Sequence, residues 1–152
     1  LIIGYVVVCW KFGKKMYPFI IPESTDKIFV HEIAVNDEDI IALNDLVEEE
    51  LKKCNVESSI INQVQLMIEE TFMIVKEKNA PKRILADCTV IVGSDYVRLI
   101  TRDNGMIFNI TDVNAKINSL GQYVAARLIE ENSDAEYMTT ISFNRNSFLW
   151  ER

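Results

Sequence analysis

The sequence is poor in the residues that build most catalytic and metal centres. It contains one histidine, His31, and three widely separated cysteines, Cys9, Cys54 and Cys88. A histidine-based triad would have to use His31, which lies in a strand-like run, so we do not expect one. The cysteines have neither metal-ligand spacing nor the pattern of a disulfide framework. This favours a reducing compartment, so we expect a cytoplasmic protein without a metal site.

Basic charge is also scarce. The chain has 16 lysines and arginines against 23 acidic residues, a net charge of −7. Nucleic-acid binding needs a basic surface, so this balance argues against a nucleic-acid partner. With 152 residues, 49% of them hydrophobic and 26% charged, the chain is expected to form one globular domain with a substantial core.

A continuous hydrophobic run is confined to residues 1–10. A bilayer-spanning helix needs about 20 apolar residues, so this run cannot cross a membrane by itself. It could be the end of a transmembrane helix whose cytoplasmic side carries Lys11, Lys14 and Lys15. The alternative is a β-branched strand that packs on the domain or on a neighbouring copy. No cleavage motif of small residues follows it, so no signal peptide is predicted.

Prolines 18 and 22 indicate a linker, and we divide the chain into residues 1–26 and a domain, residues 27–152. Hydrophobic periodicity predicts the order β-α-α-β-β-loop-α-β-β. Predicted strands cover residues 27–35, 84–92, 96–102, 137–143 and 147–150, with a turn at residues 144–146 between the last two. Helices begin near residues 37, 58 and 120, and the first is expected to end near Cys54. The apolar stripes of the first two helices consist of Ile40, Leu43, Val47 and Leu51, and of Ile61, Val64, Met67, Ile68, Phe72 and Val75. This order predicts an α+β fold, a two-layer sandwich whose mixed, mainly antiparallel sheet is covered on one face by about three helices.

The strand over residues 96–102 ends in an acidic turn formed by Asp103, Asn104 and Gly105. Glycine in such a turn can supply a positive φ without steric cost. A carboxylate beside it would be a good acceptor for the amino group of a ligand, although a solvated hairpin turn is the simpler interpretation. A loop of about fourteen residues, 106–119, follows, and loops of this length are usually functional or disordered.

These motifs, with a glutamate in the second helix and a glycine at the start of the third, occur in an order that resembles the Bergerat-type GHKL ATPase fold. Sensor histidine kinases, gyrase B and Hsp90 chaperones share this fold, and the bacterial anti-sigma-factor serine kinases resemble the chain most. The resemblance covers residues 27–152. It depends on the order and spacing of short motifs rather than on any single one.

The resemblance implies a role for five residues. Asp103 would accept a hydrogen bond from the adenine amino group, within a motif that includes Gly105. Thr139 would lie near the adenine, and Gly121 would open a helix whose backbone amides meet phosphate. Glu70 would polarise the attacking hydroxyl or water as a general base.

Other family positions are changed. Ile74 stands where the family has the asparagine that holds Mg²⁺, and an apolar side chain cannot bind this oxygen-seeking cation. Ile107 and Ser119 replace glycines, while Asn79 is interpreted as a helix-end signal. Loss of these groups would remove much of the electrostatic stabilisation that phosphoryl transfer needs. The resemblance therefore implies weak binding of ATP or ADP and gives little support for Mg²⁺ binding.

Three functions stay open at this point. The first is a regulatory nucleotide-binding domain with weak or no catalysis, whose loop over residues 106–119 responds to the nucleotide. The second is a nucleotide-free module that binds a protein partner or dimerises on the same fold. The third is an active serine kinase of the anti-sigma type. If residues 1–10 end a membrane helix, the domain would regulate the membrane protein to which it is attached.

Overall fold

The computed structural model describes residues 25–110, 120–132, 134–140 and 143–152. The elements are β1 (Lys27–Ala34), α1 (Asp37–Lys53), α2 (Ser58–Asn79), β2 (Leu85–Val92), β3 (Tyr96–Asp103), α3 (Leu120–Asn132), β4 (Glu136–Thr139) and β5 (Asn144–Glu151). The predicted order of strands and helices is confirmed. The apolar run at residues 1–10 and most of the predicted loop, residues 111–119, lie outside the described residues.

The five strands form one sheet in the order β1-β2-β3-β5-β4. All four described pairs are antiparallel, so the prediction of a mixed sheet is corrected. Two helices connect β1 to β2 and return the chain to the end of the sheet where β1 stops, so β2 runs in the opposite direction. Short turns make β2–β3 and β4–β5 antiparallel hairpins.

The last hairpin turns earlier than the sequence predicts. β4 ends at Thr139 and β5 begins at Asn144, so the predicted turn at residues 144–146 is wrong. The turn is closed instead by a 2.9 Å hydrogen bond from the Thr140 amide to the Phe143 carbonyl. Asn144 and Asn146 pair in register with Asp103 and Thr101, and this ladder outweighs the turn preference of asparagine.

Helix α1 has the ends and the apolar face that its sequence predicts. Asn36 caps it by accepting a 2.9 Å hydrogen bond from the Asp39 amide. Its buried face consists of Ile40, Leu43, Val47 and Leu51. At its C-terminus Asn55 has a φ of 55°, and the Val56 amide bonds the Leu51 carbonyl at 3.1 Å. This is a Schellman ending in which asparagine takes the position that glycine usually occupies.

Helix α2 is the central helix of the second layer, because it contacts both α1 and α3. Its apolar stripe includes the fully buried Val64, Met67, Ile68 and Phe72. The stripe lies over the inner face of the sheet, where Cys88, Val90, Leu99 and Phe148 are also fully buried. Burial raises the pKa of the Cys88 thiol well above its usual range, so this cysteine is an inert core residue.

The one histidine connects the two layers. The Nε2 atom of His31 on β1 lies 2.9 and 3.0 Å from the two carboxylate oxygens of Glu50 on α1. Both side chains are about one-fifth exposed. Within the described part of the chain, no helix combines the length and the apolarity that crossing a bilayer requires.

Candidate functional site

Asp103 is the last residue of β3, and its side chain is 4% exposed. The Oδ1 atom accepts a 2.9 Å hydrogen bond from the Gly105 amide and a 3.0 Å bond from the Asn144 side-chain amide. Burial raises the pKa of the Asp103 carboxyl, while the bonds from Asn144 and Gly105 act in the opposite direction. The solvated turn considered from the sequence is therefore not what the structure shows.

Asn144 is the closest side-chain partner of this carboxylate, and sequence reasoning missed it. It is 2% exposed, and its amide also donates to the Met106 carbonyl at 3.0 Å. The Tyr137 hydroxyl donates to its Oδ1 atom at 3.0 Å. The only sequence signal was the pair of asparagines at 144 and 146, which was interpreted as a turn.

Gly105 is required for space rather than for backbone conformation. Its φ lies outside the left-handed region, contrary to the expectation from the turn sequence. A Cβ atom here would lie 2.7 Å from Asn79 Nδ2 and 2.9 Å from Asp103 Oδ1. Both contacts are shorter than real side chains allow, so the turn can approach α2 this closely only with glycine.

Asn79 holds the segment that follows the turn. Its side-chain oxygen accepts a 2.7 Å hydrogen bond from the Met106 amide, and its Nδ2 donates to the Val75 carbonyl at 2.7 Å. Asn79 does end α2, as the sequence predicts. Its buried side chain also fixes the position of the chain beyond Gly105.

A small cavity lies between α2 and the sheet beside Asp103. Its volume of about 10 Å³ is close to the space that one water molecule needs. Two buried oxygens at its wall, Thr71 Oγ1 and Asn146 Oδ1, have no hydrogen-bond partner among the described residues. The lining residues are Thr71, Ile74, Val75, Lys78, Asn79, Asp103, Met106, Phe108, Ile110, Asn144 and Asn146. The cavity is therefore polar on the sheet side and nearly filled.

The segment after Gly105 covers this space, although Met106 itself is 62% exposed. Met106, Phe108 and Ile110 all line the cavity. The Lys78 ammonium lies 4.0 Å from the centre of the Phe108 ring, a cation–π contact between α2 and this segment. Ile107, which stands at a glycine position of the resemblance, is 67% exposed.

The positions assigned to catalysis and metal binding lie on α2. Glu70 is half-buried and does not line the cavity, although the next residue, Thr71, does. Burial raises the pKa of Glu70, and the charges of Glu69 and Glu77 add to this effect. Ile74 is 2% exposed and lines the cavity. Among the described residues, no group of three or more histidine, cysteine or acidic side chains could hold a metal ion.

The structure separates Thr139 from Asp103. Thr139 pairs with Asn144, which in turn pairs with Asp103, so the three share one face of the sheet. Since β5 lies between them, Thr139 and Asp103 are about two strand spacings, or about 10 Å, apart. Thr139 is exposed, and its hydroxyl bonds the Thr140 carbonyl at 3.3 Å. Gly121 lies in the first turn of α3, as predicted.

A larger groove opens at the same end of the sheet. Its volume is about 550 Å³, within the range of about 300–1,000 Å³ that is usual for ligand sites. Charges of both signs line it, with Glu32, Asp39 and Asp87 opposed by Arg83 and Arg102. Apolar side chains, including Ile33, Leu85 and Phe143, line it as well, and so does Asp103.

The two comparisons of the sequence with known proteins give no relative. No protein-family model matches the chain, and no curated protein is significantly similar to it. The two-layer sandwich is thus established by the structure, while the GHKL resemblance rests on the motifs quoted above.

Proposed function

We propose that the domain binds an adenine nucleotide beside Asp103 and regulates a partner through that binding, with weak or no catalysis. The observation that carries the proposal is a carboxylate that is 4% exposed at the layer interface. Within the described residues, no salt bridge neutralises it. A buried carboxylate without a cation destabilises a fold, and such groups are concentrated at functional sites.

The chemistry of the surrounding atoms supports a ligand that carries hydrogen-bond donors. Thr71 Oγ1 and Asn146 Oδ1 are buried without a partner in the described part of the chain, and both residues line the same cavity as Asp103. Together with Asp103 they would offer three oxygens to a ligand edge, and an adenine amino group is a donor of this kind. Other buried polar atoms of the described residues also lack a protein partner, but these two line one cavity, where a water molecule or a ligand donor would satisfy both.

The size of the cavity restricts how a nucleotide could enter. A space of about 10 Å³ is far below that of a ligand pocket. Binding inside this cavity would therefore require Phe108 and Ile110 to withdraw, which would break the contact of Phe108 with Lys78. In this proposal the withdrawal is the regulatory event, because it changes the surface formed by residues 106–110.

The residues present do not fit a Mg²⁺ site. Ile74, which offers no oxygen, is buried at the position where the resemblance requires a metal ligand. The proposed function therefore includes no step that depends on Mg²⁺. Glu70 has no ion pair or hydrogen bond with other described residues, and it stays a predicted base without a positioned substrate.

One observation favours the second candidate function, a protein-interaction module that has lost its nucleotide. The cavity is already filled by the protein's own side chains, as expected if the ancestral pocket has been replaced by core packing. In that case Asp103 and Asn144 would only anchor the turn.

Thermal unfolding with ATP and with ADP, each with and without Mg²⁺, separates the two candidates. A ligand that binds only the folded state stabilises it by about 2.7 kcal/mol at a hundred times its dissociation constant. We expect a rise in melting temperature for the wild type that does not depend on Mg²⁺. Asp103→Asn should abolish the rise, and Thr71→Val should reduce it. Asp45→Asn, which removes an exposed carboxylate of α1, is the matched control.

Absence of any rise at millimolar nucleotide would favour the interaction module. A rise that survives Asp103→Asn would show that the nucleotide binds elsewhere. Phosphate release should be measured on the same samples. Turnover that disappears in Glu70→Ala would contradict the proposal of weak or absent catalysis and would support the serine kinase.

A further inference from the structure

The face of the sheet that points away from the helices carries one row of charged residues across four strands. Glu32 on β1 pairs with Asp87 on β2, which pairs with Arg102 on β3, which pairs with Arg145 on β5. Directly paired residues point to the same face of a sheet, so these four side chains form a line. The line reads acid, acid, base, base.

Among the described residues of one chain, only the middle two members of this row form a salt bridge. The Arg102 Nε atom lies 2.9 and 3.0 Å from the two oxygens of Asp87. Among the described residues, Glu32 and Arg145 form no salt bridge. They lie three strand spacings apart, or about 14 Å, and cannot reach each other. Burial lowers the pKa of Arg145, an effect that Glu136 opposes and Arg98 and Arg102 strengthen, so this guanidinium would gain from a carboxylate.

A two-fold axis would bring the unpaired ends of the row together. Suppose the axis lies between the two facing sheets, parallel to the strands and midway between β2 and β3. The second copy then presents its strands in the reverse order, and each row of one copy lies opposite the same row of the other. Glu32 then faces Arg145 of a second copy, and Asp87 faces Arg102 of that copy. Each contact occurs twice, as a two-fold interface requires. The charge pattern is therefore self-complementary.

The neighbouring rows on this face carry exposed apolar side chains. Val30 is 59% exposed, Leu85 56% and Ile28 47%. The same axis would place Ile28 against the half-buried Leu149 of the second copy, whereas Ser147, which stands opposite Val30, is fully buried within its own chain and makes no contact there. No like charges meet in these rows, and the apolar contacts would add the hydrophobic burial that charge pairs alone do not supply.

We propose that this outer face of the sheet is a homodimer interface, in which two copies pack face to face about such an axis. Aligned sheets pack about 10 Å apart, which suits the side chains of these rows. Four strands of eight residues cover a plane of about 14 by 24 Å, which is small beside the usual interface of about 800 Å² per partner. The dimer is therefore expected to be weak, and it does not depend on nucleotide binding.

Sedimentation velocity of the 152-residue chain, from low to several hundred micromolar, tests the interface. We expect a reversible monomer–dimer equilibrium for the wild type. Arg145→Glu places like charges opposite Glu32 twice in each dimer, so it should raise the dissociation constant at least about 100-fold. The double variant Glu32→Arg, Arg145→Glu restores opposite charges and should return the constant to within about tenfold of the wild type.

The rescue is diagnostic because Glu32 and Arg145 cannot meet within one chain. Lys53→Glu, the same charge change on the exposed surface of α1, is the matched control and should leave the equilibrium unchanged. Circular dichroism melts show whether each variant is folded. A wild type that is monomeric at all concentrations would overturn the proposal. So would a dimer that withstands Arg145→Glu, since another surface or residues 1–24 would then hold it together, or a double variant that stays monomeric while folded.

Discussion

The Asn144 side chain donates a 3.0 Å hydrogen bond to the buried carboxylate of Asp103, across the pairing of β3 with β5. The first residue of β5 therefore supplies a hydrogen-bond donor to the carboxylate of the last residue of β3. This bond and the one from Gly105 keep the carboxylate oriented at the end of the sheet. They also lower the pKa of Asp103, because they favour the ionised form that burial disfavours.

The raised pKa of Asp103 predicts a definite dependence of stability on pH. In the folded chain this pKa lies above the ordinary value of 3.8, so between the two values the folded state binds more protons than the unfolded state. The contribution of Asp103 to the free energy of unfolding should therefore decrease as pH rises through this window. Asp103→Asn cannot titrate and should lack this component, and it should be equally or more stable at pH 7 by up to about 2 kcal/mol.

Urea unfolding of the wild type and the variant at a series of pH values measures the difference. Other acidic groups, such as Glu70, titrate in both proteins and cancel in the comparison. A difference that does not change with pH would show that Asp103 has an unperturbed pKa in the folded state.

Gly105→Ala tests whether the turn needs space against Asn79. The added methyl group would meet Asn79 Nδ2 at 2.7 Å, so we expect a loss of about 1–3 kcal/mol in the free energy of unfolding. Asn79→Ala also loses stability, because the Met106 amide loses its acceptor. The double variant should lose less than the sum of the two, since removing the Asn79 amide makes room for the methyl group. Simple additivity in urea unfolding would contradict this contact.

Asn55 tests the C-terminal end of α1. Its φ of 55° favours glycine, so Asn55→Gly should stabilise the fold by about 0.5–1 kcal/mol. Asn55→Ala places an ordinary L-residue in the left-handed region and should cost about 1 kcal/mol. Equilibrium urea unfolding of both variants measures this. Equal stabilities for the glycine and alanine variants would mean that the residue leaves the left-handed region in solution.

Periodicity in the sequence was sufficient for the elements with strong one-sided burial. Helix α1 could be predicted from its apolar stripe, because residues at this spacing can be buried together only on a helix. The stripe consists of Ile40, Leu43, Val47 and Leu51. The boundaries of β4 and β5 could not be predicted this way. Asn144 and Asn146 are turn-forming residues locally, and only their partners across the sheet, Asp103 and Thr101, hold them in a strand.

For the candidate site, the sequence pointed to Asp103 and Gly105 but not to the reason they matter together. Asn79, Asn144 and Thr71 were not predicted to meet there, because each is distant in sequence and has a plausible local role. Their proximity arises where α2 ends over the last residues of β3 and the first of β5. Thr139 lies two strands away from Asp103 on the same face of the sheet, and its place beside an adenine stays a prediction.

What the sequence determined alone was the α+β order of elements, the two helices with buried stripes and the acidic turn, since these follow from interactions between residues close along the chain. The tertiary structure decided the all-antiparallel sheet, the burial of Asp103, the nearly filled cavity and the alignment of Glu32, Asp87, Arg102 and Arg145 in one row. Each of these depends on which strands become neighbours and in which register. That choice minimises the free energy of the whole core, and no local window of residues contains it.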